Sequence, residues 1–411
     1  MIDRKHCQEL DRRDPLARFR ELFVLPDDVI YLDGNSLGPV PEAVPERIRQ
    51  VVEREWGQGL IRSWNAAHWI DLPQRVGDKI APLIGAEPGE VVAADSTSVN
   101  LFKLLSAALD LQRGRSVILS ERDNFPTDLY VAQGVRDQLG RRHEIKLVEA
   151  GGLKDAIDEQ VAVVMLTHVN FRTGARHDMT AITAAAHAKG VLVLWDLSHS
   201  VGAMPLALNA ARADLAIGCG YKYLNGGPGA PAFLYVRRDL QSRIRPPLAG
   251  WMGHREPFAF VPDYAPAEGI LRNLCGTPPV LAMAALDAAL DLWSEVDLAD
   301  LRAKSVALAD LLIALLDEQG PSLGLTLATT RNAEQRGSQV SFAHPEGYAV
   351  MQALIARGVI GDYRAPDLIR FGLTPLYLRF VDVFDAVAIL ADILRHRRWD
   401  RPEFRRRAKV T

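Results

Sequence analysis

Short runs of apolar, mostly β-branched residues alternate with longer amphipathic stretches over the first two-thirds of the chain. Runs of this length predict strands buried on both faces of a sheet, and the stretches between them, such as 128–139 and 180–189, have helical spacing. The alternation predicts an α/β fold with a mostly parallel central sheet and helices on both of its faces. The predicted strands are 117–119, 161–167, 191–196, 215–218 and 232–236.

The pattern changes after residue 271, where two long helix-forming stretches precede a strand-like stretch and a further helix. This order predicts a smaller α+β domain, and the proline- and glycine-rich residues 245–279 predict an irregular connection to it. We expect an N-terminal segment (1–60) that packs with the small domain, a large domain (61–270) and a small C-terminal domain (271–411). The elements of the small domain are expected at 280–293, 298–318, 338–343 and 347–357.

The composition is typical of a folded globular protein. The 411 residues are 48% hydrophobic and 24% charged, and the net charge of −3 lacks the basic excess of a nucleic-acid binder. Eight lysines and arginines fall within residues 395–409. We interpret this basic tail as a solvated terminal helix or a frayed end, with a binding patch as the alternative.

The cysteines indicate neither a disulfide framework nor a metal centre. Cys7, Cys219 and Cys275 form an odd set without a CxxC motif or a cysteine–histidine cluster. No apolar run approaches the roughly 18 residues that a membrane span needs. We therefore expect a protein of the reducing cytoplasm with no membrane, nucleic-acid or metal partner.

Two polar residues follow neighbouring predicted strands. Asp196 ends one apolar run, where a carboxylate is costly unless a partner compensates it, and Lys222 lies a few residues after the next run. A lysine and an aspartate at adjacent strand ends suit pyridoxal phosphate (PLP), because the amine forms a Schiff base and the carboxylate keeps the ring nitrogen protonated. The alternative is that Asp196 caps the next helix and Lys222 reaches solvent. A metal pair of Asp196 with His199 has no third ligand in sequence.

A phosphate site is predicted where residues 95–100 (DSTSVN) lead into an apolar helix, 101–109. Hydroxyl groups and free amides at a helix N-terminus bind dianions, although an ordinary serine or threonine cap has the same sequence. The chain has no GxxxxGK[ST], HExxH, GxSxG or GxGxxG motif, which removes the main support for nucleotide-loop, zincin, serine-hydrolase and nicotinamide-dependent readings.

Five stretches together resemble the kynureninase family, whose members are PLP enzymes of fold type I, similar to class V aminotransferases. The YLDGNSLG and NFPTD stretches are the specific ones, and related lyases share the others more loosely. The resemblance runs over most of the chain. The stretches are YLDGNSLG at 31–38, NFPTD at 124–128, DLSH at 196–199, YKYLN at 221–225 and GWMGH at 250–254.

The resemblance implies a role for each matching residue. Lys222 would form the Schiff base and Asp196 would hold the ring nitrogen, with Tyr221 as a proton donor or a phosphate ligand. Within LIRFG at 368–372, Arg370 would grip the substrate carboxylate, together with Asn35, Ser36 and Trp64. The implied cofactor residues are Thr97, Ser98, Phe125, Pro126, Thr127, Asp128, Thr167, Asp196, His199, Tyr221 and, from the neighbouring subunit, Trp251 and Thr277.

The implied reaction is the hydrolytic cleavage of the Cβ–Cγ bond of L-kynurenine to anthranilate and L-alanine, by a cytoplasmic homodimer with shared active sites. It would serve tryptophan catabolism through the kynurenine pathway, which also leads to NAD biosynthesis. Animal members carry His and Asn where this chain has Trp64 and Thr277, which favours L-kynurenine over its 3-hydroxylated form. Rival interpretations are a cysteine desulfurase, an aminotransferase and a noncatalytic ligand sensor.

Overall fold

The computed structural model describes residues 2–319 and 323–408. Its strands fall into a seven-stranded sheet, a four-stranded sheet and a two-stranded pair. The strands are β1 (Ile30–Tyr31), β2 (Val91–Ala93), β3 (Val117–Glu121), β4 (Glu144–Val148), β5 (Val161–Thr167), β6 (Leu192–Asp196), β7 (Leu215–Gly218), β8 (Phe233–Val236), β9 (Thr326–Leu327), β10 (Gln339–Ala343), β11 (Val359–Ile360), β12 (Asp362–Arg364) and β13 (Leu368–Gly372).

The large sheet has the order β2-β8-β7-β6-β5-β3-β4. The five strands from β7 to β4 run parallel, while β8 pairs antiparallel with both β7 and β2. The prediction of a mostly parallel sheet is confirmed, and so are its five predicted strands. The sequence analysis missed β2 and β4. Strand β4 lies at the sheet edge and is only partly buried, so its sequence lacks the continuous apolar run that marks the inner strands.

Helices cover both faces of this sheet, and others pack on the small sheet. Predicted helices in 128–139, 180–189, 280–293, 298–318 and 347–357 are present within a few residues of the expected bounds. The helices are α1 (Arg4–Arg12), α2 (Ala43–Gln50), α3 (Ser63–Ala66), α4 (Leu72–Ile80), α5 (Thr97–Leu111), α6 (Pro126–Gln138), α7 (Met179–Ala188), α8 (Arg238–Gln241), α9 (Val280–Ala289), α10 (Leu298–Gln319), α11 (Gly347–Ile355), α12 (Phe380–Arg395) and α13 (Pro402–Arg405).

The core consists of two apolar layers separated by the large sheet. Successive strand residues point to opposite faces, so Met165 and Leu194 pack in the layer of α5 and α6, whereas Leu166 and Trp195 pack in the layer of α4 and α7. All four side chains are buried. Each inner strand therefore buries both faces, which explains the continuous apolar runs in the sequence.

The small sheet, of order β12-β13-β10-β9, is antiparallel and packs against α10 and α11, and α12 packs on these two helices. The N-terminal segment contacts this part of the chain: β1 pairs with β11, Asp11 accepts hydrogen bonds from the first amides of α12, and Arg4 forms an ion pair with Asp385. The division at residues 60 and 270 stays a prediction. Helix α12 was not predicted, although its buried residues follow helical spacing.

Residues 245–279 contain two short 3₁₀ turns, at Trp251–Gly253 and Gly269–Asn273, as expected for an irregular connection. In the basic tail, one helical turn (α13) is followed by exposed residues, and Arg405 pairs with Glu346 and Asp400. Lys409, the last basic residue of the tail, lies outside the described residues. Among the described residues, none of the helices combines the length and the apolar character needed to cross a bilayer.

A buried ion pair joins the N-terminal segment to α10 and gives a stability prediction. Lys304 Nζ lies 2.5 Å from Asp14 Oδ2, and both side chains are at most 5% exposed. Replacing Asp14 by alanine leaves a buried ammonium without its counter-ion, so we expect the free energy of unfolding to fall by about 3–5 kcal/mol in urea denaturation. The matched control is Asp317→Ala, which removes an exposed ion pair of the same helix with Arg331. Equal effects of the two variants would contradict the prediction.

Candidate active site

The carboxyl ends of the parallel strands open into a cavity of about 670 Å³. Ligands of parallel α/β sheets bind at this edge, because the loops that follow the strands meet there. Asp196 ends β6, Thr167 ends β5 directly beside it, and Lys222 follows β7. The predicted residues that line this cavity are Thr97, Ser98, Phe125, Thr127, Asp128, Thr167, Asp196, His199, Tyr221 and Lys222.

The amine of Lys222 points into the cavity and not to bulk solvent. Its Nζ lies 3.0 Å from Nε2 of His199 and 5.8 Å from the ring centre of Tyr221. Burial holds the pKa of His199 well below its usual value, and the charge of Lys222 adds to this effect. His199 is therefore neutral at neutral pH, and its Nε2 can accept a hydrogen bond from the lysine.

Two buried carboxylates lie on the same side of the cavity. Burial raises the pKa of Asp196, and burial together with the charge of Asp196 raises that of Asp128. Asp196 Oδ1 accepts the amide of Ser198 at 2.8 Å, but Oδ2 of Asp128 is buried without a partner. Two acids that each disfavour ionisation of the other form a site for a cationic group. Residues 197–214, between β6 and β7, contain turns but no helix. Asp196 therefore does not cap a helix, and its bond to Ser198 stabilises a single turn.

Helix α5 begins at the cavity, with Ser96, Thr97 and Ser98 in the lining. Ser96 is its N-cap and accepts the amide of Val99, so the helix starts at Thr97 and not at residue 101 as predicted. Thr97 and Ser98 occupy the first turn, where amides lack intrahelical acceptors. Their hydroxyls, their amides and the positive end of the helix dipole favour a phosphate at this position.

The loop after β3 forms one wall. Asn124 Oδ1 accepts the amide of Thr167 at 2.9 Å, which fixes this loop to the end of β5. Pro126 is the first residue of α6, and Phe125 immediately before it turns its ring into the cavity. The Phe125 ring meets the edge of Phe171 at 5.1 Å between centroids. An aromatic face is therefore available on one side of a flat ligand.

Several lining residues were not named as site residues from the sequence, although Asp95 and Ser96 belong to the stretch 95–100 that was predicted to bind phosphate. Asp95, which has a positive φ of 47°, lines the cavity and pairs with Lys103, a fully buried lysine of α5. Lys103 also donates to the carbonyl of Asn273 at 2.7 Å and so ties the phosphate end to the connection. A lysine within an otherwise apolar helix was the available signal. The further lining residues that were not named as site residues are Ser96, Ser198, Pro228, Gly229, Ala230, Pro231, Ala232 and Pro279.

A second group of predicted residues lies beside the cavity but does not line it. Arg370, on β13, donates to Ser36 Oγ at 3.0 Å and to the Phe171 carbonyl at 2.5 Å. Asn35 is buried, and its Nδ2 donates to Oε1 of Gln339 at 3.4 Å. The 35–38 loop is attached to the lysine loop, since Gly38 donates to the Tyr221 carbonyl at 2.9 Å. A Cβ at Gly38 would lie 2.2 Å from the carbonyl of Lys222, so glycine permits this approach.

Three predicted residues lie elsewhere in the described chain. The cavity lining does not include Trp64, Trp251 or Thr277. Trp64 and Trp251 pack edge to face, with ring centres 6.0 Å apart, and Thr277 is exposed two residues before the lining residue Pro279. Pro126, at the start of α6, is not part of the lining either, although its neighbours Phe125 and Thr127 are. The single chain thus brings together the other residues expected around the ring and the lysine.

Solved structures of PLP enzymes share the fold of this chain. A cysteine desulfurase from Thermococcus onnurineus NA1 aligns with a TM-score of 0.78 and 21% identity, over 92% of this chain and 98% of its own. The cystine C–S lyase C-DES, in a mutant with glycine covalently linked to its PLP cofactor, aligns with a TM-score of 0.78 and 22% identity, over 91% and 99%. At these identities the likeness shows the fold.

Sequence relatives are much closer. Residues 301–390 match the family model of the kynureninase C-terminal domain. A kynureninase from Burkholderia pseudomallei (strain 1106a) is 55% identical, and one from Pseudomonas fluorescens is 53% identical, each over 100% of both chains. The chain belongs to the kynureninase family. As a kynureninase it is a PLP-dependent hydrolase of carbon–carbon bonds, and this sets aside the desulfurase, aminotransferase and ligand-sensor interpretations.

The residues that line the cavity suit PLP, the cofactor of the kynureninase family, independently of the sequence comparisons. The unpartnered Oδ2 of Asp128 and the raised pKa values of Asp128 and Asp196 indicate carboxylates that lack a cationic partner, such as a protonated pyridine nitrogen. A helix N-terminus and an amine line the same cavity. These are the three groups that PLP requires.

Proposed function

We propose that this kynureninase cleaves the Cβ–Cγ bond of L-kynurenine by adding water, releasing anthranilate and L-alanine, and that its 3-hydroxylated analogue is the poorer substrate. The observation that carries the proposal is the position of Lys222 in a cavity that two buried carboxylates and a helix N-terminus also line. No other residue type in the described lining supplies an amine. The roles of the individual residues below are part of the same proposal.

The cofactor would be held from both ends. Thr97 and Ser98 would bind the phosphate with the first turn of α5, and Asp196 with Asp128 would hold the protonated ring nitrogen. Phe125 would stack on the ring, and Lys222 would attach it covalently. When bound, PLP supplies an electron sink for the electrons released by bond cleavage.

We assign the proton transfers of the remaining steps to side chains around the cavity. Lys222 Nζ, once released by the substrate amine, removes the proton from the substrate Cα. Neutral His199, 3.0 Å away, accepts a hydrogen bond from that Nζ and so keeps the amine directed into the cavity. Arg370 and Ser36 orient the α-carboxylate, which sets which bond to Cα lies over the ring. Water then adds to the aryl ketone, and the Cβ–Cγ bond breaks.

Tyr221 is the proposed proton donor to Cβ. Burial raises the pKa of its hydroxyl, so the group keeps its proton at neutral pH and can give it only to a strongly basic carbon. Its place in the lining also suits a phosphate contact. A Tyr221→Phe variant separates the two roles: loss of kcat with unchanged cofactor affinity supports the donor, and loss of cofactor affinity supports the phosphate contact.

The direct test is to add L-kynurenine to the PLP-loaded protein and to follow anthranilate and amino acid products. Equimolar anthranilate and L-alanine are expected, with kcat/KM higher for L-kynurenine than for 3-hydroxykynurenine. Pyruvate in place of alanine, or no release of anthranilate, would contradict the proposal.

The substrate preference gives a prediction for two positions. Trp64 and Thr277 offer the ring hydroxyl of 3-hydroxykynurenine fewer polar partners than His and Asn would. The double variant Trp64→His/Thr277→Asn is expected to raise the ratio of kcat/KM for 3-hydroxykynurenine over L-kynurenine by about tenfold. The control is Trp56→His, which changes an exposed tryptophan of the same segment. An unchanged ratio in the double variant would contradict the assignment of these two positions.

A homodimer with shared active sites is part of the proposal. It is supported by the position of Trp64, Trp251 and Thr277 outside the cavity of their own chain. Sedimentation should give a dimer, and mixing inactive Lys222→Ala with inactive Trp251→Ala chains should restore activity, because one mixed site would then be intact. An active monomer would contradict it.

The cellular setting is also proposed. The three cysteines are free, which suits the reducing cytoplasm, and the substrate places the enzyme in tryptophan catabolism and the supply of precursors for NAD biosynthesis. Fractionation of cells that express the protein from its own gene would test the location.

A further inference from the structure

The guanidinium of Arg370 has few N–H groups left for a substrate carboxylate. Arg370 is 1% exposed, and Asp362 faces it on the neighbouring strand. Nε of Arg370 donates to Asp362 Oδ1 at 2.8 Å, and Nη2 donates to Oδ2 of the same carboxylate. Together with Ser36 and the carbonyl of Phe171, these contacts use four of the five N–H groups of the guanidinium. Arg370 alone therefore cannot give a substrate carboxylate a two-donor grip.

A second arginine lies beside it. Arg364 is two residues from Asp362 on β12, so both side chains leave the strand on one face. Its Nη2 lies 2.7 Å from Asp362 Oδ2 and 3.4 Å from Ser36 Oγ. Unlike Arg370, its side chain is 34% exposed, which leaves N–H groups open to a ligand.

The charges of this group favour an anion. Arg364 and Arg370 face one ionised carboxylate, because hydrogen bonds and charge from Arg370 outweigh burial and hold the pKa of Asp362 below its usual value. The other nearby acid, Asp33, has its pKa raised to about 7, by burial and by the charge of Asp362. When Asp33 is protonated, the group carries one excess positive charge, and an excess charge in a largely buried place calls for a counter-ion.

The same group lies close to the lysine loop. Ser36 belongs to the loop that bonds to Tyr221, and the carbonyl that accepts from Arg370 belongs to Phe171, whose ring contacts Phe125. The charges of both arginines also lower the pKa of His199, which itself contacts Lys222.

We propose that Arg364 is a second residue that binds the α-carboxylate of the substrate, and that Asp362 is a positioning residue that holds Arg364 and Arg370 side by side. Asp362 and the Phe171 carbonyl hold the Arg370 guanidinium in place and leave one of its N–H groups for the ligand, so Arg364 would supply the further donors. Ser36 bridges the two arginines, and its hydroxyl can turn from Asp362 to the incoming carboxylate. The inference rests on the proposed function, since it takes Arg370 as the carboxylate residue.

The test compares two ligands of the holoenzyme that differ in one group. L-Alanine, the product, carries the α-carboxylate, and ethylamine is the same molecule without it. Calorimetric titration of Arg364→Gln should show L-alanine binding weakened by about tenfold and ethylamine binding within about twofold of wild type. KM for L-kynurenine should rise by a similar factor, with kcat nearly unchanged. Arg364→Lys should recover part of the loss, because it keeps the charge but not the planar fork.

Further variants separate the possible outcomes. Asp362→Asn should also weaken the binding of L-alanine and leave the binding of ethylamine unchanged. If Asp362→Asn does not fold, the variant of the partly exposed Arg364 decides the test. The matched control is Arg357→Gln, which removes an arginine–aspartate pair of the small domain with Asp392 and should change neither ligand. L-Alanine binding within about twofold of wild type in Arg364→Gln would overturn the inference. If Arg370→Gln also binds L-alanine normally, the proposed carboxylate site itself fails.

Discussion

Replacing Lys222 by alanine is expected to lower kcat by about 10⁴-fold or more, because the reaction loses both its covalent attachment and the base at Cα. Within the described lining of the cavity, Lys222 supplies the side-chain amine, so no neighbour can take its place. The neighbouring His199 is not a substitute, since burial holds its pKa well below the usual value and leaves it a weak base.

The covalent attachment of the cofactor to Lys222 can be measured directly. After borohydride reduction and proteolysis, mass spectrometry of the wild type should find the cofactor mass on the peptide that contains Lys222, and the variant should show no such adduct. Addition of methylamine should restore a small part of the proton transfer, because the amine can enter the space that the side chain leaves. A structural defect would not respond in this way.

The control for this prediction is Lys189→Ala, which removes a surface lysine paired with Glu159 and should leave kcat unchanged. Thermal unfolding of the two variants shows whether Lys222→Ala remains folded. A folded Lys222→Ala enzyme that keeps more than about a tenth of the wild-type kcat would contradict the assignment of this lysine.

The cofactor end of the site could be predicted from the sequence because it depends on local patterns. Buried strands show as apolar runs, and parallel strands place their carboxyl ends at one edge. The register of β6 on β7 pairs Asp196 with Ile217, so a carboxylate 26 positions before the lysine is brought to the same edge. The residue pattern alone left a helix cap and a solvent-facing lysine open, and the family resemblance decided between these interpretations.

The carboxylate end could not be predicted in this way. Ser36 and Arg370 are 334 residues apart, and their contact depends on how the N-terminal loop packs on the small sheet. Asp362 and Arg364 were missed because they lie opposite Arg370 only in one register of β12 on β13. The turn between the two strands sets this register. The resemblance identified Arg370 and Ser36 but gave no information on how many donors Arg370 has left.

Replacing Asp196 by asparagine is expected to lower kcat by about 10³-fold while the protein stays folded. Asparagine keeps the shape of the side chain and can still accept the amide of Ser198, but it carries no charge with which to hold a protonated ring nitrogen. Asp128→Asn should have a smaller effect, because Asp196 would then be relieved of a like charge and could ionise more readily.

A second buried aspartate on the same sheet is the matched control. Asp214 immediately precedes β7 at the opposite edge, where it accepts from His187 and Arg237. Asp214→Asn removes a carboxylate from an equally dry place, so it should lower the melting temperature yet leave kcat of the folded enzyme near the wild-type value. Stopped-flow absorbance of the cofactor would show whether Asp196→Asn slows removal of the Cα proton itself. If the two asparagine variants lose kcat equally, the effect of Asp196 is one of folding, and its charge has no part in the chemistry.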